Sequence, residues 1–338
     1  MRTVRRARTT HRRARAAAAV LSALALAAGC SGSGGKRSED AAAGSSGKAA
    51  NTPRMTIGMV SHSGEGDTFW DIVQTGAEQA AKKDNVKFLY ANDKEGSRQA
   101  ELVRSMIDQK VDGLIVTLAK PQALKASVRA AVRAGIPVIT INSGGEFSTA
   151  YGALTHIGQD ESVAGRAVGD ELNERQRKKA LCVIHEQGNV SLEDRCAGVK
   201  KAFRGTVENL NVDGTNAPSS QSSVEAELQS DKGIDAIVTL GAPMAAISVK
   251  AREQAGSAAQ IATFDLNAAV VKSLKAKDIA FAVDQQPYLQ GYEAVDLLWL
   301  NRTNANVLGG GRPVLTGPAV VTGTDVPALE KYTARGTR

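Results

Sequence analysis

Beyond its first 30 residues, the 338-residue sequence has no net charge. The chain carries 42 lysines and arginines against 35 aspartates and glutamates, a formal charge of +7. Seven arginines lie within residues 1–30, which contain no lysine, aspartate or glutamate, so the remainder holds 35 basic and 35 acidic residues. A basic face for nucleic acid or a membrane surface is therefore not expected in the body of the chain. The length suits two domains of ordinary size.

The sequence also lacks an apolar run that could span a bilayer, which takes roughly 20 residues. The apolar segment 16–28 follows a basic start and precedes Gly29-Cys30, an arrangement typical of a secretory signal. Leu26-Ala-Ala-Gly-Cys30 resembles the bacterial lipobox, so we predict a lipoprotein signal peptide over 1–30 with Cys30 lipidated. The alternative is a secreted protein with an incidental cysteine. Residues 31–53, rich in Ser, Gly and Ala, are predicted to form a flexible linker.

Catalytic motifs are missing as well. Gly64-Glu-Gly66 is followed by Asp-Thr-Phe69, so the Gly-x-Gly-x-x-Gly pattern of dinucleotide-binding folds is absent. The chain has no P-loop and no Gly-x-Ser-x-Gly elbow. His62, His156 and His185 stand apart from cysteines and from metal-ligand spacings. We therefore predict a protein that is not an enzyme, with no catalytic residue, no metal and no cofactor.

Cysteine is scarce, and only Cys182 and Cys196 lie beyond residue 30. Outside the cytoplasm an even pair favours a disulfide. The first lies at the start of a predicted strand and the second in the following helix, and a bridge over this loop stabilises a fold by about 3 kcal/mol in the chain-entropy model. Two buried free thiols are the alternative, and the sequence does not decide between them.

From Met55 onward, short apolar runs alternate with helical patterns, as expected for parallel sheets with right-handed crossovers. The first series has strands near 55–60, 86–90, 113–117 and 135–142. A strand at 153–157 is expected to follow without an intervening helix, at the point where the chain leaves the first sheet. A second strand-and-helix series of comparable length comes next, with Asp160 as the N-cap of its first helix. This pattern predicts an α/β fold of two Rossmann-like lobes with a cleft between them.

Two aromatic residues, Phe69 and Trp70, lie where the first strand's carboxyl end meets a helix. Open α/β sheets place ligand crevices at such strand ends. The helix has one face of apolar or small residues, namely Phe69, Ile72, Val73, Gly76, Ala77 and Ala80. Phe69 and Trp70 are therefore candidate ligand contacts, and packing in the helix core is the alternative interpretation.

Six segments in a fixed order carry a resemblance to a known family. They are Asp67-Thr-Phe-Trp70, Ala134–Asn142, Ile157–Gly165, Arg195-Cys-Ala-Gly198, Thr263-Phe-Asp265 and Asp284–Gly291. Over residues 54–321 the chain resembles the periplasmic sugar-binding proteins of ABC importers. This branch includes ribose- and galactose-binding proteins and shares its fold with lactose-repressor effector domains. The resemblance implies a periplasmic binding protein type I fold, in which a hinge of three crossing strands joins the two lobes.

The resemblance also implies lobe boundaries and ligand contacts. Residues 54–158 plus 286–312 are expected in the N-terminal lobe, and 159–285 plus 313–338 in the C-terminal lobe. Phe69 and Trp70 are the implied stacking pair, and the preceding Asp67 is an implied polar contact. The guanidinium of Arg195 is implied to bind ring hydroxyls, and the carboxylate of Asp265 to accept from them. The hinge amide of Gln285 and the strand-end residue Asn142 complete the implied contacts. Aromatic faces suit the C–H faces of a sugar ring, and planar polar groups suit its hydroxyls.

The implied function is capture of a sugar or sugar-like polyol and its delivery to an ABC permease. The protein is expected to be a monomeric lipoprotein, anchored on the outer face of the cell membrane. Lys120 and Gly241 stand where ribose-type members often have Asp and Asn, so the sugar stays unnamed, and a solvated lysine is the simpler interpretation of Lys120. One alternative is a sensor that presents the bound sugar to a membrane receptor. A DNA-binding regulator is disfavoured, because the chain begins with a signal peptide and lacks a basic helix-turn-helix.

Overall fold

The computed structural model describes residues 50–64 and 67–338. The predicted signal peptide, Cys30 and residues 31–49 of the predicted linker lie outside these residues. Within the described ranges, no helix combines the length and the apolar character needed to cross a membrane. The last residues of the predicted linker contact the folded body instead of extending from it. The amide of Ala50 donates to the Lys83 carbonyl at 2.8 Å, and Thr52 Oγ1 accepts from the Trp299 indole at 3.1 Å.

Strands and helices alternate along the chain. The first group is β1 (Met55–Ser61), α1 (Thr68–Lys83), β2 (Val86–Asn92), α2 (Gly96–Asp108), β3 (Gly113–Thr117), α3 (Pro121–Arg133), β4 (Val138–Ile141), α4 (Gly145–Tyr151) and β5 (Thr155–Gly158). The second group is α5 (Glu161–Glu174), β6 (Lys179–Ile184), α6 (Val190–Ala202), β7 (Thr206–Asn211), α7 (Ala217–Ser230), β8 (Ala236–Thr239), α8 (Ala242–Gln254), β9 (Gln260–Phe264), α9 (Ala268–Ala276) and β10 (Phe281–Asp284). The last elements in chain order are α10 (Pro287–Asn304), β11 (Val314–Leu315), β12 (Ala319–Val321) and α11 (Val326–Ala334).

Two six-stranded sheets form the cores of two lobes. The first has the order β11-β5-β4-β3-β1-β2, with every pair parallel. The second has the order β12-β10-β9-β8-β6-β7 and is parallel except at its edge, where β12 runs antiparallel to β10. The inner strands β3 and β8 are buried along their whole length, because helices cover both faces of a parallel sheet. The predicted α/β fold with two parallel-sheet lobes is confirmed.

The prediction of no helix between β4 and β5 is wrong. Helix α4 lies between them, and β5 joins the first sheet beside β4, with Ile141 paired to Ile157, before the chain crosses to the second lobe. This helix has only seven residues, and Gly144 and Gly152 bound it in the left-handed conformation. So short a segment is hard to recognise from apolar periodicity, which needs a window of 11 or more residues.

The chain passes between the lobes three times, at residues 159–160, 285–286 and 316–318. Because β11 pairs with β5 in the first sheet, the third crossing follows Leu315, and the predicted boundary at 312/313 comes too early. Two hydrogen bonds tie the crossings together. The amide of Thr316 donates to the Gly158 carbonyl at 2.7 Å, and Gln286 Nε2 donates to the Thr316 carbonyl at 2.6 Å.

Glycines let two pairs of helices approach until their backbones touch. A Cβ atom on Gly291 of α10 would overlap the Val73 carbonyl of α1, and one on Gly165 of α5 would overlap the Arg195 carbonyl of α6. Only glycine fits at such contacts. The two crossings fix α1, whose first turn carries the aromatic pair, and α6, which carries Arg195.

Cys182 in β6 and Cys196 in α6 form a disulfide, with their Cα atoms 6.0 Å apart. Of the two alternatives that the sequence left open, the structure contains the bridge. Since Arg195 directly precedes Cys196, the disulfide also holds the segment that carries Arg195 against the second sheet.

Candidate functional site

A cavity of about 150 Å³ lies between the lobes. It holds roughly ten water-sized spheres, which suits a single-ring ligand. The carboxyl ends of parallel strands from both sheets face it, as expected for ligand sites in such folds. All seven predicted contact residues line it, namely Asp67, Phe69, Trp70, Asn142, Arg195, Asp265 and Gln285. The structure thus brings these residues together, while their contact with a ligand stays a prediction.

The first turn of α1 forms the aromatic wall of the cavity. Phe69 and Trp70 are 7% and 4% exposed, and their rings meet edge to face with centroids 5.1 Å apart. Both rings also pack into the core of the first lobe, so the ligand-facing and core interpretations hold together. Asp67 caps the helix by accepting from the Phe69 amide at 3.1 Å. The cap therefore sets the direction in which the aromatic pair is presented.

A chain of hydrogen bonds connects both lobes through Gln285 at the second crossing. Gln285 Nε2 donates to Asp265 Oδ1 at 2.7 Å, and its Oε1 accepts from Asn142 Nδ2 at 3.0 Å. Asn142 follows β4 and Asp265 follows β9, and both adopt positive φ, 62° and 68°. Asn and Asp tolerate this left-handed conformation better than most residues. The residues that follow a strand in each lobe, Asn142 and Asp265, are therefore hydrogen-bonded to the same hinge residue, Gln285.

Two of the carboxyl groups that line the cavity, those of Asp265 and Asp67, have raised pKa values. Burial raises the pKa of Asp265 to about 7, although the Arg195 guanidinium and the Gln285 amide lower it. Burial also raises the pKa of Asp67 to about 6, against the hydrogen bond from the Phe69 amide. A buried carboxylate gains from any ligand hydroxyl that donates to it, because water no longer solvates it fully.

Arg195 lines the cavity, but most of its guanidinium is committed to the protein. Nε donates to Glu161 Oε2 at 2.6 Å and Nη2 donates to Oε1 at 3.0 Å, which makes a bidentate pair. Nη1 donates to the Leu240 carbonyl at 3.0 Å, and the group lies over the Phe264 ring, 4.6 Å from its centroid. The fork expected on ring hydroxyls thus faces Glu161, which leaves one further N–H on each of Nη1 and Nη2 to face a ligand.

The cavity lining includes further polar residues that the sequence did not assign to it, among them His62, His185, Glu186 and Asn189. His62 directly follows β1 and His185 directly follows β6, so they occupy equivalent positions in the two lobes. Burial lowers the pKa of both imidazoles, that of His185 to about 4, so both rings are neutral at pH 7. The sequence did contain a signal for His62 and His185 as cavity residues, because each is a polar residue just after a predicted strand.

The lobes touch across the mouth of the cleft. The amide of Val190 donates to the Ala119 carbonyl at 3.1 Å. Asn267 Nδ2 donates to Thr68 Oγ1 at 3.3 Å. These contacts join the ends of strands and the starts of helices from opposite lobes, so the structure is a closed arrangement of the cleft.

The two residues that depart from the family pattern, Lys120 and Gly241, differ in their position relative to the cavity. Lys120 precedes α3 outside the cavity lining and donates to the Lys94 carbonyl at 2.8 Å, in agreement with the simpler interpretation of this lysine. Gly241 lines the cavity before α8, and a Cβ atom there would lie 3.3 Å from His185 Cε1 and 3.9 Å from Asp265 Oδ2. In the part of the chain that the structure describes, no cluster of three His, Cys, Asp or Glu side chains is arranged to hold a metal ion.

Comparison with known proteins places this architecture in a family. The model of the periplasmic binding protein domain matches residues 57–303, and the chain belongs to this family. A carbohydrate transporter from Acidothermus cellulolyticus 11B, solved in complex with myo-inositol, is 45% identical, with a TM-score of 0.84 over 85% of this chain and 100% of that one. The ribose import binding protein RbsB of Bacillus subtilis (strain 168) is 25% identical over 254 residues, 73% of this chain and 81% of RbsB.

A likeness in fold alone extends further. An ABC transporter solute binding protein from Burkholderia graminis C4D1M, solved in complex with D-arabinose, is 23% identical. Its TM-score is 0.72 over 80% of this chain and 96% of that one. The two-lobe arrangement is therefore shared well beyond the range in which the sequences are closely similar.

Proposed function

We propose that the protein binds one molecule of a sugar or cyclitol in the cavity between its lobes. The observation that carries this proposal is the make-up of the cavity wall, with Phe69 and Trp70 on one side and the carboxyl groups of Asp67 and Asp265 among its polar groups. A polyol ring has C–H faces that suit aromatic rings and hydroxyls that need both donors and acceptors. The cavity also has the volume of a single ring rather than a chain of rings.

Among polyols, we put myo-inositol first. The 45% identical relative from Acidothermus cellulolyticus is in complex with it. Inositol carries a hydroxyl on every ring carbon, so a site for it needs polar partners all round the ring. Here such partners come from both lobes, with His62 and Asn142 in the first and His185, Asn189 and Asp265 in the second.

Ligand binding is proposed to stabilise the closed arrangement. Direct hydrogen bonds across the mouth, such as Val190 to Ala119, are few, and each contributes only about 0.5–1.5 kcal/mol. A ligand that contacts both lobes at once adds free energy to the closed form alone and so shifts the equilibrium toward it. The closed form is the one we expect to be recognised by a partner that contacts both lobes.

That partner is proposed to be an ABC permease, with the protein held at the outer face of the membrane by a lipid on Cys30. Support comes from membership of the periplasmic binding protein family and from the lipobox-like Leu26–Cys30. Acyl chains contribute about 0.8 kcal/mol per buried methylene, so several of them hold a protein firmly. Membrane fractionation tests the anchor, since Cys30→Ser should release the protein from the membrane fraction.

Asp67→Asn tests the ligand site, because asparagine still caps the helix. We expect a thermal-shift panel of pentoses, hexoses and cyclitols to stabilise the wild type. Calorimetry should then give an about 10- to 100-fold weaker Kd for the variant, since a hydrogen bond to a charged group contributes about 1.5–3 kcal/mol. Asp71→Asn changes an exposed carboxylate outside the cavity lining and is the matched control. A wild type that no polyol in the panel stabilises would contradict the proposal.

A further inference from the structure

Carboxylates outnumber cations around the cavity. Among the lining residues that the structure describes, Asp67, Glu186 and Asp265 are acidic and Arg195 and Lys94 are basic. Lys94 is exposed at the mouth, where solvent and salt screen its charge. Arg195 is therefore the one described cation that could attract an anion inside the cavity.

The carboxylate of Glu161 neutralises the charge of Arg195 from outside the cavity. It lies outside the cavity lining, 8% exposed, and holds the 3% exposed Arg195 through two hydrogen bonds of 2.6 and 3.0 Å. Gln159 Nε2 donates at 2.8 Å to Glu161 Oε2, the oxygen that also accepts from Arg195 Nε, and this keeps the carboxylate in place. At these separations the opposite charges act on the cavity as a dipole, and their net charge is zero.

The two imidazoles do not restore positive charge. Burial keeps His62 and His185 neutral at pH 7. His62 Nε2 lies 3.4 Å from Asn189 Nδ2 and 3.9 Å from Glu186 Oε2, so it faces polar groups of the opposite lobe as a neutral ring. An anion in the cavity would thus meet carboxyl groups with no uncompensated buried cation beside them, in a place where charges are weakly screened.

We propose that the cavity selects uncharged polyols against anionic ones, such as phosphorylated or carboxylated rings, and that Glu161 sets this selectivity by neutralising Arg195. The inference rests on the proposed function and names its ligand class. Glu161 acts through Arg195 and is a positioning residue. Its effect is on the charge that the cavity accepts as well as on the geometry of the guanidinium.

Inorganic phosphate is the probe, because it is small enough to enter the cavity whichever polyol binds there. Thermal shift at constant ionic strength should show stabilisation of the wild type by myo-inositol and none by phosphate. Glu161→Gln leaves Arg195 uncompensated, and phosphate should then raise the Tm by about 2 °C or more at concentrations well above its Kd. The double variant Glu161→Gln/Arg195→Gln removes both charges and should lose this response.

A second variant covers the case in which Glu161→Gln does not fold. Glu186→Gln/Asp265→Asn removes two lining carboxyl groups but leaves the Arg195–Glu161 pair intact, so phosphate should still give it no stabilisation. Phosphate binding by the wild type, a folded Glu161→Gln variant that does not respond to phosphate, or phosphate binding by Glu186→Gln/Asp265→Asn would overturn the inference. A wild type that binds no neutral polyol would instead refute the proposed function, which is a separate readout.

Discussion

Asp265 lies at the end of β9 with its carboxyl group in the cavity wall and only 6% exposed. Burial raises its pKa from 3.8 to about 7, so between these values the folded apo protein binds more protons than the unfolded chain. Its contribution to stability therefore falls as pH rises through this window. A polyol hydroxyl that donates to the ionised carboxylate, as proposed, would favour the form that burial disfavours. Ligand binding and proton release would thereby be linked at this residue.

We predict that affinity for myo-inositol rises with pH. If only the ionised carboxylates bind, Kd should improve by up to about tenfold per pH unit below a pKa. With the pKa values of Asp67 and Asp265 at about 6 and about 7, the gain should level off above pH 7. Calorimetry at about pH 5 and about pH 8 measures the change. Asp265→Asn should remove the part of the slope nearest pH 7, and a flat wild-type profile would show that these carboxyls do not accept from the ligand.

At this scale the cavity residues were largely predictable, but their partners were not. Phe69 and Trp70 follow a strand end, and that position alone indicates a ligand site. Glu161 is 34 residues from Arg195, and their pairing depends on how α5 crosses α6 and on side-chain directions that no local pattern encodes. The resemblance implied Arg195 as a ligand contact, and the structure places it in the cavity lining with its fork on Glu161, which the resemblance did not indicate.

The helix crossings show what the family-like segments contribute beyond ligand contacts. Three of these segments include a glycine at which a helix meets its neighbour's backbone, namely Gly165, Gly198 and Gly291. Gly76 of α1 lies at the same crossing as Gly291, since a Cβ atom there would overlap the Tyr288 carbonyl of α10. Each lobe therefore has one close crossing, and each crossing supports a helix that lines the cavity.

Gly291→Ala should destabilise the fold. A methyl group there would meet the backbone of α1, which cannot move aside as a flexible side chain could. Overpacking of this kind costs about 1–3 kcal/mol and occasionally more. Urea denaturation measures it, with Gly64→Ala as the control, because the nearest atom to a Cβ there is 4.0 Å away. Equal stability of the two variants would mean that the crossing relaxes without cost.

At the level of elements, alternation of apolar runs and helical patterns was enough to predict two parallel-sheet lobes. It failed where an element was too short to show a period, as at α4, or too short to read as a strand, as at the two-residue β11. The lobe boundary near residue 312 shifted for that reason. The disulfide was left open because spacing along the chain does not report the distance between β6 and α6.

Residues 50–64 and 67–338 form two similar lobes whose strand ends face each other, and Gln285 is hydrogen-bonded to residues of both. It is 1% exposed at the second crossing, and its amide joins Asn142 of the first lobe to Asp265 of the second. Gln290 Nε2 also donates to Gln285 Oε1 at 3.0 Å, which fixes the orientation of the amide. The hinge residue Gln285 is therefore in direct contact with the Asp265 carboxyl group of the cavity wall.

Gln285→Ala should weaken closure as well as binding. The change leaves the Asp265 carboxylate and the Asn142 amide without their common partner, and a buried unpaired polar group costs about 1–3 kcal/mol, so the Kd for myo-inositol should weaken by about tenfold or more. Small-angle scattering should show that the variant needs correspondingly more ligand for the radius of gyration to reach its closed value. Circular dichroism serves as the control for folding. A folded variant with wild-type affinity would mean that the hinge amide supports the backbone alone, and that the lobes are coupled only through the ligand.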